Sequence, residues 1–190
     1  MANSTDLRVV KTKRAIRNAF VNLLSEKDFS EITVTDIVSA AQVNRKTFYN
    51  HYASTYELLN EVENEILQRM SASLTKISED ELLAHPEIII DHINSIINSD
   101  PELFTPLLHM QTNTALFKKL SAYLKEQTIA GSLHKVSVSA REFDYALEYV
   151  FSGILAVYQQ WVRDKDRPGL DEVSSTIARV FLNGFRDIMA

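Results

Sequence analysis

Arg45, Lys46, Thr47, Tyr49 and Asn50 crowd into one short stretch of the chain, and their side chains are of the types that read duplex DNA. Arginine and lysine neutralise phosphates or fork onto guanine, asparagine pairs with adenine, and threonine offers a hydroxyl to phosphate or a methyl to thymine. Tyr49 adds a flat, amphipathic contact. A loose chain could not hold such groups in register, so the stretch needs an element that turns them outward together. Asn44 supplies its start: the side chain can cap a short helix in which Phe48 points inward and the polar residues stay outside. A helix of this kind lies in the major groove and presents its first turn, here Arg45, Lys46 and Thr47, to the base edges.

That helix must itself be braced. Thr33, with Asp36 three residues on, has the pattern that satisfies the free amides of a helix's first turn. Val34, Ile37, Val38 and Ala41 then fall at i, i+3, i+4 and i+7, an apolar stripe that has to be buried. Gln42-Val43-Asn44 breaks the pattern, and Ser54-x-x-Glu57 reads as a capping box for a further, longer helix. Two short helices on a tight turn followed by a long one form a helix-turn-helix, which points to DNA.

The order Ile16-x-x-Ala19-Phe20, Leu23-Leu24, Phe29, Ile32-Thr33-Val34-x-Asp36-Ile37, Ala41-x-Val43, Thr47-Phe48-Tyr49, His51-Tyr52 and Leu58-Leu59 carries a resemblance. From about Lys13 to Val62 the chain resembles the DNA-binding domain of the TetR/AcrR-family transcriptional regulators, bacterial one-component ligand sensors. The resemblance implies an all-α fold with an N-terminal three-helix DNA-binding domain in residues 1–52. Residues 53–190 would form a helical regulatory domain for ligand binding and dimerisation. It also implies that Arg14, Thr35, His51 and Tyr52 touch the DNA backbone or support the residues that do. The family usually has glycine where Gln42 stands, serine at Asn44, a small residue at Lys46 and often lysine at Thr55. Gln42 means either that the turn needs no left-handed residue or that glutamine bears the strain, at about 1 kcal/mol. Lys46 adds charge to the recognition helix, and Thr55 removes a phosphate-binding lysine.

The chain's formal charge of −5 is unevenly placed. Residues 1–51 hold eight Lys/Arg against five Asp/Glu, whereas the remainder holds twelve against twenty. Arg8, Lys11, Lys13, Arg14 and Arg17 cluster in the first helix and its lead-in. Beside a helix-turn-helix they suit phosphate anchoring with strong salt dependence; alone they would be an ordinary solvated face. There is no cysteine, so disulfide and thiolate chemistry are excluded. Without an apolar signal core or a membrane-length apolar run, a cytoplasmic protein is expected. His51, His85, His92, His109 and His134 lack metal-site spacing, and the four glycines cannot write a nucleotide or hydrolase motif. Glu61, Glu63 and Glu65 read as a solvated face. No catalytic set can be assembled, so a non-enzyme with no cofactor is expected.

Few glycines and prolines and no alternating pattern predict helices near 8–27, 34–41, 45–51, 55–77, 87–98, 101–109, 113–130, 140–164 and 171–188. Along the last two, Ile154, Tyr158, Trp161, Val173, Ile177, Phe181, Gly184 and Ile188 form a stripe that serves either an internal core or a two-fold four-helix dimer interface. Gly153 and Gly184 would permit close helix approach. Phe104, Leu108, His109, Met110, Gln111, Phe117, Tyr123 and Tyr149 are either plain core or, as the resemblance implies, an apolar inducer pocket with His109, Gln111 and Tyr123 as polar anchors. The expected partners are a palindromic double-stranded operator, a small-molecule inducer and a second copy of the chain. The leading expectation is a homodimeric repressor released by ligand; an activator or co-regulator controlled by a partner protein is the alternative.

Overall fold

The structure, a computed structural model, describes residues 4–74, 85, 87–110, 116, 118–123, 125–126 and 138–189. The chain starts with α1 (Ser4–Glu26), a 3-10 turn (Phe29–Glu31), α2 (Val34–Ala40), α3 (Arg45–Tyr49) and α4 (Thr55–Leu74). After these come α5 (Ile88–Ser99), α6 (Pro101–His109), helical residues at 118–123, α7 (Ala140–Arg163) and α8 (Leu170–Met189). No strand occurs among the described residues, and the fold is all-α as expected. The helix expected over 113–130 falls largely outside the described residues. Pro101 opens α6 as expected of a helix start, while Pro106 lies inside that helix.

Contacts group the chain into two compact units. The first is Met1–Ile66 with Pro101–Thr112, the second Leu67–Asp100 with Asn113–Ala190. In the first, Ile16, Phe20 and Leu24 recur every fourth residue on α1, and all three are buried. α1 packs on α2 and on α6, whose Leu103, Phe104 and Leu107 are also buried. Phe29 joins this core edge-on, its ring centroid 6.1 Å from Phe20 and 4.9 Å from Tyr56.

The turn between α2 and α3 resolves the question posed by Gln42. Its φ is 55°, in the left-handed region, so glutamine bears the strain. The Gln42 amide donates to the Ser39 carbonyl (3.2 Å) and the Val43 amide to the Val38 carbonyl (3.0 Å). Together these bonds close a Schellman cap, whose left-handed position is usually glycine. Gln42→Gly removes the side-chain strain but frees the unfolded chain, so a net gain of up to about 1 kcal/mol is expected. Urea unfolding checks it: a lowered midpoint would mean that the glutamine side chain contributes more than its backbone costs.

In the second unit α8 packs on α5 and α7. Phe143, Leu147, Phe151, Ile154, Leu155, Tyr158 and Val162 bury one face of α7, while Ile89, Ile90, Ile96 and Ile97 bury α5. One polar cluster crosses this core: Asn94 Oδ1 accepts from the Tyr158 hydroxyl and from the Ser174 hydroxyl, each at 2.7 Å. Burial pushes the Tyr158 phenol up to about 12, which keeps it protonated as a donor.

Candidate nucleic-acid interface

α3 is short and capped at its start. Asn44 has extended backbone angles, and its Oδ1 accepts from the Thr47 amide (2.8 Å) and the Thr47 hydroxyl (3.0 Å). While that second bond holds, the single proton of Thr47 is committed, which leaves its methyl as the group for a base edge. Phe48 alone turns inward, fully buried, with its ring 5.5 Å from Tyr49 and 5.6 Å from Tyr52. Arg45, Lys46, Tyr49 and Asn50 are exposed, and Thr47 and His51 are half-buried. Thr35 on α2 and Arg14 on α1 are exposed as well.

α2 has the capping box read from Thr33 and Asp36. Asp36 does more than cap: its carboxylate also lies 2.9 Å from Lys27 Nζ at the end of α1. The hydrogen bond from Lys27, then those from Thr33, hold the Asp36 carboxyl down at about 2, well below the ordinary aspartate range.

Tyr52 is placed differently from the other expected contacts. It is 1% exposed, and its hydroxyl donates to Glu61 Oε1 at 2.9 Å. Burial, reinforced by that hydrogen bond to Glu61, raises its phenol above the ordinary tyrosine range. Of the two roles expected for Tyr52, touching DNA is closed to it and only support remains.

The basic cluster divides in two. Lys13 Nζ pairs with Glu61 Oε2 (2.6 Å) and Arg17 Nε with Glu65 Oε2 (2.8 Å), tying α1 to the first half of α4. Arg8, Lys11, Arg14, Arg45 and Lys46 have no carboxylate partner among the described residues. Glu61 and Glu65 were therefore misread as a merely solvated face, and Glu63 is buried. The signal was present in the spacing: two cations at i, i+4 on one helix and two carboxylates at i, i+4 on another can form a ladder.

The pocket residues are dispersed. Phe104, Leu108 and Met110 are buried in the first unit, whereas His109 ends α6 exposed. Tyr123 belongs to the second unit; its hydroxyl is buried with no hydrogen-bond partner among the described residues. Gln111 and Phe117 lie outside the described residues. Tyr149 is 80% exposed on α7, so it leaves the pocket set.

Tyr149 belongs instead to an open apolar groove of about 510 Å³ between α7 and α8. Ile154, Ile177 and Phe181 are its mostly buried floor; Tyr145, Val157 and Val180 are exposed along it. A methyl group added at Gly153 or Gly184 would meet nothing within 4 Å. This corrects the interface reading for three residues. Tyr158 and Val173 are internal core, and half-buried Trp161 braces the α7–α8 turn by donating from Nε1 to the Pro168 carbonyl at 2.8 Å. Of the seven buried positions on α7, Tyr158 was assigned to the wrong surface because that helix is apolar on two faces, and period alone cannot say which one meets its own unit. The side chain of Ile188 lies outside the described residues.

A capped α3 that turns one aromatic ring inward and a cationic, amide-bearing face outward, seated on α2, defines a helix-turn-helix DNA-binding protein. Residues 16–62 match the family described as bacterial regulatory proteins, tetR family. The chain is 31% identical over 170 residues to the uncharacterized HTH-type transcriptional regulator YxbF of Bacillus subtilis (strain 168), an alignment covering 73% of this chain and 45% of that protein. It is 37% identical over 49 residues, 26% of each protein, to the HTH-type dhaKLM operon transcriptional activator DhaS of Lactococcus lactis subsp. lactis (strain IL1403). The chain thus spans less than half the length of these curated relatives. Among solved structures, a TetR transcriptional regulator from Streptococcus agalactiae 2603V superposes with a TM-score of 0.66 at 23% identity, over 93% of this chain and 97% of that one. The dihydroxyacetone kinase operon activator DhaS superposes at 0.62 and 19% identity, over 94% and 98%. Residues 16–62 thus carry the DNA-binding domain of the tetR family of bacterial regulatory proteins, and the chain as a whole has the fold of TetR-family regulators.

No helix among the described residues is long and apolar enough to cross a membrane, and no described group of three or more His, Cys, Asp or Glu could hold a metal ion.

Proposed function

We propose that the chain is a cytoplasmic, homodimeric repressor that binds a palindromic operator through two copies of α3 and leaves it when a small molecule binds. The outward face of Arg45, Lys46, Tyr49 and Asn50 on a helix anchored by Phe48 carries this reading. Arg14 and Thr35 contact phosphates, with Arg8 and Lys11 adding long-range attraction, and His51 and Tyr52 support α3 from behind. The α7–α8 groove is the two-fold contact, which sets two heads on half-sites one helical turn, or a multiple, apart. Functionally the reading head is residues 1–52 and the regulatory part 53–190, although compactness groups α6 with the former. The inducer binds within the regulatory part, and the buried Tyr123 hydroxyl is its polar anchor. It acts by binding the DNA-free conformation better, since only differential affinity shifts an equilibrium.

The test is titration of the purified protein against DNA flanking its own gene at two salt concentrations, with random duplex as competitor. Specific binding that weakens steeply with salt is expected. Arg45→Ala or Tyr49→Ala should weaken it by about 1–3 kcal/mol per half-site with unchanged helicity. Unchanged affinity in both variants would sink the α3 assignment.

A second reading, an activator or a co-regulator answering to a partner protein, is favoured by the head's 37% identity to DhaS, which is described as an activator. Under it the purified dimer binds DNA only with its partner, or binds and raises transcription from a reporter.

A further inference from the structure

We propose that Glu61 is a specificity-determining residue: by neutralising Lys13 beside α3, it lowers the head's affinity for DNA of any sequence. The inference rests on α3 being the DNA-reading helix. Three side chains from different segments meet at one carboxylate. Lys13 Nζ is 2.6 Å from Glu61 Oε2, the Tyr52 hydroxyl is 2.9 Å from Glu61 Oε1, and the same ammonium sits 5.2 Å from the centroid of the Tyr52 ring. Tyr52 follows the end of α3 by three residues, and its ring packs 5.6 Å from that of Phe48, so the ammonium is held beside the C-terminal end of the reading helix.

The pair is formed but not sealed. The Lys13 and Glu61 side chains are 38% and 44% exposed, so the ammonium is within reach of a phosphate once the carboxylate is gone. Arg17 and Glu65, one turn further along both helices, repeat the arrangement with less exposure and supply an internal control. A half-exposed ion pair contributes little to stability, which makes fastening α1 to α4 a weak reason for placing a carboxylate against the basic helix. Its effect on binding is larger. Every cation that reaches a phosphate releases counterions and tightens binding to all sequences alike, whereas a regulator depends on the ratio of specific to non-specific affinity. Masking Lys13 reduces the sequence-blind part and leaves Arg45, Lys46, Tyr49 and Asn50 untouched.

E61Q tests this, because glutamine keeps the volume and an acceptor for the Tyr52 hydroxyl but removes the charge. The probe is a labelled random-sequence duplex, titrated with the full-length protein from about 50 to 200 mM salt. Log K against log[salt] should steepen by about 0.9 per protomer in E61Q. K13Q/E61Q should return to the wild-type slope, and E65Q should leave it unchanged. An E61Q slope equal to wild type, or a steeper slope that persists in K13Q/E61Q, overturns the proposal. If E61Q loosens the head, K13Q/E61Q carries the same loosening without the freed charge, so the comparison still decides. A wild-type protein that binds neither random nor selected duplex would overturn the DNA-reading function itself; equal slopes among binding-competent proteins overturn only the role of Glu61.

Discussion

Val180→Asp is expected to convert the proposed dimer into monomers without unfolding the chain. Val180 is 66% exposed and lines the α7–α8 groove with Tyr149 and Val157, so in a single chain the new carboxylate would stand in water. In a two-fold interface the same residue enters twice, and each copy would be a buried charge with no partner. Breaking such a balance costs about 3–5 kcal/mol. Even the lower figure raises the dimer dissociation constant by more than about 100-fold, since each 1.4 kcal/mol is a factor of ten. Sedimentation velocity reads the change, with far-UV circular dichroism to confirm intact helices. Operator affinity should fall with it, because a single α3 binds one half-site. A variant that remains dimeric would move the interface off this groove.

Phe48→Ala is expected to abolish DNA binding by loosening α3 from its seat. Phe48 is the buried side chain of that five-residue helix. Its ring meets Tyr49 edge-on and lies obliquely against Tyr52. Truncating a buried phenylalanine costs about 3–5 kcal/mol. Whole domains are stable by only about 5–15 kcal/mol, so the loss consumes much of what holds a small head together. Hydrogen exchange should quicken across α2 and α3, while the α7 and α8 amides keep their protection and the protein the mass it has as wild type. Unchanged protection in α3 would show that the helix is held by something other than Phe48.

The helices themselves were legible to within a few residues because their ends carry local chemistry. Thr33 with Asp36, and Asn44, make the capping bonds that their spacing predicts. Surfaces were harder. Tyr158 and Ile154 lie one turn apart on an apolar helix, yet one is sealed against Asn94 and the other floors an open groove. Only the packing of α5 and α8 decides between them. The basic cluster divided for a related reason: Lys13 and Arg14 are neighbours in sequence but face different directions on α1, one toward Glu61 and the other toward solvent. The left-handed turn at Gln42 was framed correctly from sequence as a choice between two states, but a dihedral angle was needed to choose.

The shared acceptor on Asn94 has a mechanical consequence. Two hydroxyls, on α7 and α8, converge on one amide oxygen of α5; sliding α5 by one turn, about 5.4 Å, would part both from it, and sliding α7 would leave the buried Tyr158 hydroxyl without its acceptor, while Ser174 keeps the Leu170 carbonyl of its own helix. Apolar side chains tolerate such slippage, because one isoleucine can replace another in a groove; a hydrogen-bonded triad does not. The triad therefore acts as a pin that fixes axial register, and the three helices it joins must answer any push on one of them by moving together or not at all.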